Sequence, residues 1–155
     1  MSLFPKCSLP LAGRAVLLSV KPKYADLISS GDKRVEFRRA WATEEVSLIA
    51  IYASSPVQRI VALVEVEDIV RGSPTSLWNH CKDRGGALTR QELFDYFNGK
   101  RQGCAVLLGD VQALTLPVDP KSLFKTFTPP QSFRYLSAAE VQKIQEKFAS
   151  HEEAI

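Results

Sequence analysis

Residues 31–39 read GDKRVEFRR. From Arg34 the stretch alternates, so Val35 and Phe37 fall on one face of a short strand and Arg34, Glu36 and Arg38 on the other. With Lys33 at the preceding turn, one face presents three or four cations around a single carboxylate. Glu36 can hold one guanidinium by a two-point hydrogen bond and leave the remaining donors to a phosphate or carboxylate ligand. The alternative is a solvated strand face, whose exposed ion pairs are worth about 0–1 kcal/mol each. The pattern alone leaves both open, and the choice depends on what surrounds it.

Upstream, AVLLSV (15–20) is a short apolar strand. Pro22 follows at a first helical position, with Tyr24, Leu27 and Ile28 at helical spacing and Gly31 as the stop. Downstream, VSLIAIYA (46–53) and RIVALVEV (59–66) are β-rich runs separated by a serine- and proline-bearing turn. Their nearly continuous apolar character requires cover on both faces. Ser73 and Pro74 open a short helix through Trp78, and TRQE (89–92) is a capping box ahead of Leu93, Phe94 and Phe97. GCAVLLG (103–109) and VQALTLPV (111–118) are the last clear strands. The proline-broken, aromatic stretch 119–136 follows, and then a closing helix with Ser137 and Glu140 as its capping box and Val141, Ile144 and Phe148 as its apolar stripe. About six strands with helices inserted irregularly predict an α+β fold, a small mixed β-barrel with a C-terminal helix, rather than a doubly wound parallel sheet. The expected organisation is an N-terminal arm over 1–13, one domain over 14–150 and a frayed tail over 151–155.

The chain of 155 residues is 45% hydrophobic and 24% charged, a composition that permits a core without disulfides or a structural metal. Its net charge of +3 allows an anionic partner but excludes a histone-like polycation. Distribution says more than the total. Residues 21–39 hold six basic and three acidic side chains, whereas residues 40–70 hold one and five. Three widely spaced cysteines, Cys7, Cys81 and Cys104, indicate neither a disulfide framework nor a zinc site, and point to a reducing compartment. With no signal segment and no apolar run long enough to span a bilayer, the expected location is the cytoplasm, without membrane association.

GDKRVEFR fits the pattern G-x-K-x-x-E-x-R, and together with LLSVKPKYADLISS, IYASSPVQRIVALVEVEDIV and PPQSFRYL it resembles the ASCH domain family. The likeness runs from about Ala15 to Leu136 and is strongest to single-domain bacterial and archaeal members. The resemblance implies a β-barrel similar to the RNA-binding PUA domains, with an open cleft lined by the signature strand that takes RNA or a nucleotide-like ligand. Carried over position by position, Lys33, Glu36 and Arg38 lie in that cleft after the Gly31 turn. Lys21, Lys23 and Tyr24, at the start of the preceding helix, add free backbone donors and basic side chains for phosphate.

Two further stretches are candidates. Tyr52 offers a ring for stacking, with Ser54 and Ser55 as hydrogen-bonding groups; the alternative is a core tyrosine beside a turn. In PPQSFRYL, Gln131, Ser132 and Arg134 have the chemistry to read an unstacked base; the alternative is a prolyl loop that packs its aromatics on the barrel. Catalysis is the competing class. Some relatives are amidohydrolases of acylated cytidine using a lysine, a threonine and a glutamate, and another is a metal-dependent ribonuclease. Lys33 matches the lysine, but Glu36 stands at the threonine position and no glutamate is evident near Gly85 and Gly86. Lys33 and Glu36 are then the candidate catalytic pair, and a lysine at its ordinary pKa needs desolvation to serve as a base. His80 with Cys81 has no metal pattern nearby, and Glu65, Glu67 and Asp68 suit a solvated strand end better than a divalent ion. Neither a metal nor another cofactor is expected. The leading expectation is an RNA- or nucleotide-binding module; a small hydrolase of a modified nucleoside or single-stranded RNA is the alternative. A regulatory domain with a protein partner in transcription or translation is a third reading, and the oligomeric state is left open.

Overall fold

A computed structural model describes residues 13–153, with side chains through Phe148. The expected arm, except for Gly13, and the last two residues of the expected tail lie outside the described residues, as does Cys7. The elements run β1 (Arg14–Val20), α1 (Pro22–Ser30), β2 (Val35–Arg38), β3 (Val46–Ala53), β4 (Arg59–Gly72), α2 (Pro74–Cys81), α3 (Arg90–Tyr96), β5 (Gly103–Val118), β6 (Phe133–Leu136) and α4 (Ala138–Glu153).

The six strands form one sheet in the order β2-β5-β4-β3-β1-β6. Every neighbouring pair is antiparallel except β1 and β3, which are parallel. A parallel pair needs a crossover, and α1 with β2 supplies it. The expected α+β mixture is therefore present, but the barrel is not closed. No ladder joins β2 to β6, and both edges are only four residues long.

The strand inventory also differs from the sequence reading. GCAVLLG and VQALTLPV are one 16-residue strand, because register shifts between Val64 and Val66 and between Val66 and Asp68 absorb the bend at Gly109 and Asp110. FRYL, expected within a proline-broken loop, pairs with β1 as the other sheet edge.

The apolar runs in β1, β3 and β4 are explained by cover on both faces. On one face, Val16, Leu18, Ile49, Ile51, Val64 and Val106 pack with Ala25 and Ile28 of α1. On the other, Leu17, Leu48, Ala50 and Leu63 meet Val141, Ile144 and Phe148 of α4. A third cluster joins Val35 and Phe37 of β2 to Leu77 of α2 and to Leu93 and Phe97, at and just beyond α3. Strand β2 is thus anchored by its apolar face, and Glu36, between those two residues, is turned the opposite way.

Candidate functional site: a charge-balanced cleft

Local rules bring the signature into place. Helix α1 ends where Gly31 adopts φ +84° and donates its N–H to Ile28 O, a left-handed turn that glycine takes without steric cost. The reversal lets Lys33 N–H bond to Leu27 O, and the lysine side chain then runs inward. Lys33 and Glu36, at 3% and 7% exposure, are the buried charged residues among those described.

The Glu36 carboxylate takes two cations. Arg38 Nη1 lies 3.1 Å from one oxygen and Lys33 Nζ 3.6 Å from the other. Lys33 also donates to Gly86 O at 2.5 Å, and its ammonium sits 5.3 Å from the Tyr24 ring centroid and 5.9 Å from that of Phe37. Desolvation lowers the Lys33 pKa below its ordinary 10.5, against the raising pull of Glu36. The sequence leaves that sign undecided; in the structure burial outweighs the carboxylate. Arg38 uses its second nitrogen to donate to Ser132 Oγ at 2.6 Å. One side chain thus bridges the gap between the two sheet edges.

These groups face a cleft of about 780 Å³, within the ordinary range for a small-ligand site. Of the residues named from sequence, Lys21, Tyr24, Lys33, Glu36, Arg38, Ser54 and Gln131 line it. Ser132 adjoins it through Arg38. Lys23 stays exposed, 5.5 Å from the Tyr24 ring centroid. Ser55 is exposed on the turn after β3 and is not part of the lining.

Two candidates belong elsewhere. Tyr52 is 2% exposed, with its ring against Phe127 in the core beneath α4, which leaves no face for a base to stack on. Arg134 is held by Glu140 at 2.7 Å and lies over the Phe124 ring. Alternation explains this: Phe133 and Tyr135 take the α1 side of the sheet, so Arg134 takes the α4 side. Arg34 likewise departs from its expected alignment with Glu36 and Arg38. It precedes β2, donates its N–H to Gly85 O and lines a separate hollow with Asp83 and Arg84. Arg39 is occupied structurally, its guanidinium donating to Tyr96 O and Asn98 O at the end of α3.

The far wall was not anticipated. Glu92, Asp95 and Tyr96 enter the cleft from α3, and the residues just before it contribute Leu88. The sequence signal for Glu92 was its capping box, and that box is formed: Thr89 Oγ1 accepts from Glu92 N, and Glu92 Oε1 accepts from Thr89 N. The Thr89 backbone N–H, helped by the Thr89 hydroxyl and Lys23, holds the Glu92 carboxyl below its usual pKa. Glu92 and Gly86 also border a common neighbouring hollow. Ser19, the lone polar residue in AVLLSV, also lines the cleft and ties its roof down by donating to Pro130 O at 2.6 Å.

The charged lining therefore comprises Lys21, Lys33 and Arg38 against Glu36, Glu92 and Asp95. Three cations meet three carboxylates. The basic cleft expected from the signature is formally neutral, with cations on the side of α1 and β2 and two of its acids on α3. Among the described residues no group of three or more His, Cys, Asp and Glu side chains gathers as a metal site, and no helix is long and apolar enough to cross a membrane. Cys81 and Cys104 are buried free thiols.

Comparison with known proteins identifies the family and the fold. An ASCH domain-containing ribonuclease from Zymomonas mobilis is 36% identical over 138 residues, covering 84% of this chain and 90% of that protein. The crystal structure of ASCH from Zymomonas mobilis superposes with a TM-score of 0.79 at 35% identity, covering 86% of this chain and 94% of that one. A single-residue variant of that protein superposes with the same TM-score at 34% identity, over 86% of this chain and 97% of its own. The family profile described as ASCH domain matches residues 18–155. The chain belongs to the ASCH domain family.

Proposed function

We propose that this protein binds single-stranded RNA, one nucleotide unit at a time, in the cleft built by Lys33, Glu36 and Arg38. The observation that carries the reading is the burial of Lys33 beside Glu36. Holding a lysine at 3% exposure, where desolvation works against its charge, costs stability, and nothing in packing the core requires it. Such a group is maintained for what it meets. Glu36 and the Gly86 carbonyl fix its direction, and Arg38 has a planar fork suited to a phosphate. Tyr24, half-buried in the same wall, offers a ring for a base.

The balanced lining limits how much anion the cleft accepts. One or two phosphates fit; a strand threaded past Glu92 and Asp95 would be repelled. For single strands each neutralised phosphate contributes a slope of about −0.7 to log K against log salt, so the total is about −0.7 to −1.4. Fluorescence anisotropy of a labelled single-stranded RNA across salt concentrations tests this. Arg38→Ala should weaken binding and flatten the slope by about 0.7. Ser132→Ala, which removes the strut but keeps the cation, should leave the slope in place. If Arg38→Ala binds as the parent does with the same slope, the proposal fails.

Strand cleavage is the second reading, favoured because the Zymomonas relative is named a ribonuclease. In it Lys33 and Arg38 would neutralise the charge gathering on the attacked phosphoryl group, and such electrostatic stabilisation is usually the main source of rate in a site of this kind. Among the described residues the cleft lining contains no histidine, and His80 lines a different hollow on α2. Binding is therefore the primary reading, and turnover of RNA that vanishes in Lys33→Met would establish the second.

A further inference from the structure

From the division of charge across the cleft we infer that it selects a nucleotide whose base carries an exocyclic amine, and that Glu92 and Asp95 are the residues that reject uracil. The inference rests on the nucleotide-binding reading and specifies its ligand. With phosphate on the Lys33 and Arg38 side, the base is directed towards α3, where two carboxylates stand three residues apart on one helical face.

Both carboxylates are oriented yet retain acceptor capacity. Glu92 spends Oε1 on the Thr89 N–H, and Asp95 spends Oδ1 on Gln91 Nε2 at 2.9 Å. The second oxygen of each has no hydrogen bond among the described residues. An ionised carboxylate only accepts, so this wall asks its ligand for donors. Adenine, cytosine and guanine each supply an –NH2 with two donors, and carboxylates read such amines directly. Uracil supplies one ring N–H flanked by two carbonyl oxygens, which would face the carboxylates acceptor to acceptor. Tyr96 complements the pattern. Its hydroxyl accepts from Arg39 N–H at 3.2 Å and keeps its own proton to donate to a ring nitrogen beside the amine.

The wall is also rigidly placed. The capping box fixes the start of α3, Leu93 and Phe97 bury in the third apolar cluster, and Arg39 clamps the carbonyls of Tyr96 and Asn98. A base meeting this wall finds one oxygen of each carboxylate already tethered to α3.

Titrating the protein with AMP, CMP, GMP and UMP, followed by amide NMR shifts, tests the inference. The amine-bearing nucleotides should each bind about fivefold more tightly than UMP or better, about fivefold being the low end of what a good bidentate contact discriminates. Glu92→Gln keeps the capping box, since glutamine also serves at that position, and Asp95→Asn keeps an acceptor for Gln91. In the doubly substituted protein the preference should collapse to about twofold or less. Equal binding of all four by the parent overturns the inference and leaves the nucleotide-binding reading standing. A preference that survives both substitutions removes Glu92 and Asp95 from the role. Failure of all four to bind overturns the inference and the reading beneath it together.

Discussion

The two edge strands of the sheet each carry an arginine paired with a glutamate, and the pairs do opposite things. On β6, Arg134 and Glu140 approach to 2.7 Å with side chains 40% and 27% exposed. That glutamate also caps α4, accepting from Ser137 N–H while Ser137 Oγ accepts from its own N–H. On β2, Arg38 and Glu36 are longer at 3.1 Å but only 14% and 9% exposed, and a second cation, Lys33, shares the carboxylate. The shorter pair closes a local circuit and holds a helix to the sheet. The longer one leaves surplus donors beside a cavity. Distance alone ranks the β6 pair first; burial and the excess of cation single out the β2 pair, on which the proposed function rests.

The largest consequence of that contrast is in stability when Glu36 is lost. Glu36→Gln leaves the buried Lys33 and the half-buried Arg38 without their carboxylate and should destabilise by about 3–5 kcal/mol in chemical denaturation. A change below about 1 kcal/mol would mean the pair is effectively solvated.

Lys33→Met comes next and separates function from stability. Nucleotide binding should fall about 30-fold or more, the loss for one partner of a buried charged contact. Stability at neutral pH should hold or rise, because the folded site already disfavours the ammonium. The linkage has a definite sign. With the folded pKa of Lys33 below its ordinary 10.5, the unfolded chain binds more protons between the two values, so the parent gains stability as pH rises through the folded pKa towards 10.5. The advantage of Lys33→Met should shrink over that window.

The β6 pair gives the smallest effects. Burial raises the pKa of Glu140, but the Ser137 N–H, Arg134 and the Ser137 hydroxyl outweigh it and hold the carboxyl below its usual value. A depressed carboxylate contributes stability that is complete above the unfolded pKa and is lost as pH falls through the folded one. Ser137→Ala should cost about 1 kcal/mol, as a lost cap does, with nucleotide affinity unchanged. Measurable loss of affinity there would dissolve the contrast between the two edges.

Much of this was legible before the structure. Pro22 and Gly31 bounded α1, both capping boxes were visible as spacings, and alternation in VEFR placed Glu36 and Arg38 on one face. Less was legible where tertiary structure overrides local signals. Four residues after paired prolines read as loop, yet FRYL becomes a strand because β1 presents it a free edge. GCAVLLG and VQALTLPV read as two strands parted at Asp110, yet bulges in β4 let β5 run through that position. The site shows the same limit. The cations sit within one short segment, so the sequence displays them together; Glu92 and Asp95 lie more than fifty residues away and reach the cleft only because Leu93 and Phe97 dock α3 on β2. A cluster near in sequence looks basic until the fold brings its counter-charges.

The most direct check on the cleft is a titration of isotopically labelled protein with a short single-stranded RNA, read as backbone amide shifts. The account predicts the largest perturbations at Tyr24, Lys33, Arg38 and Gly86, around the cleft beside β2. Shifts confined to Arg134, Ser137 and Glu140, with the β2 edge silent, would contradict it.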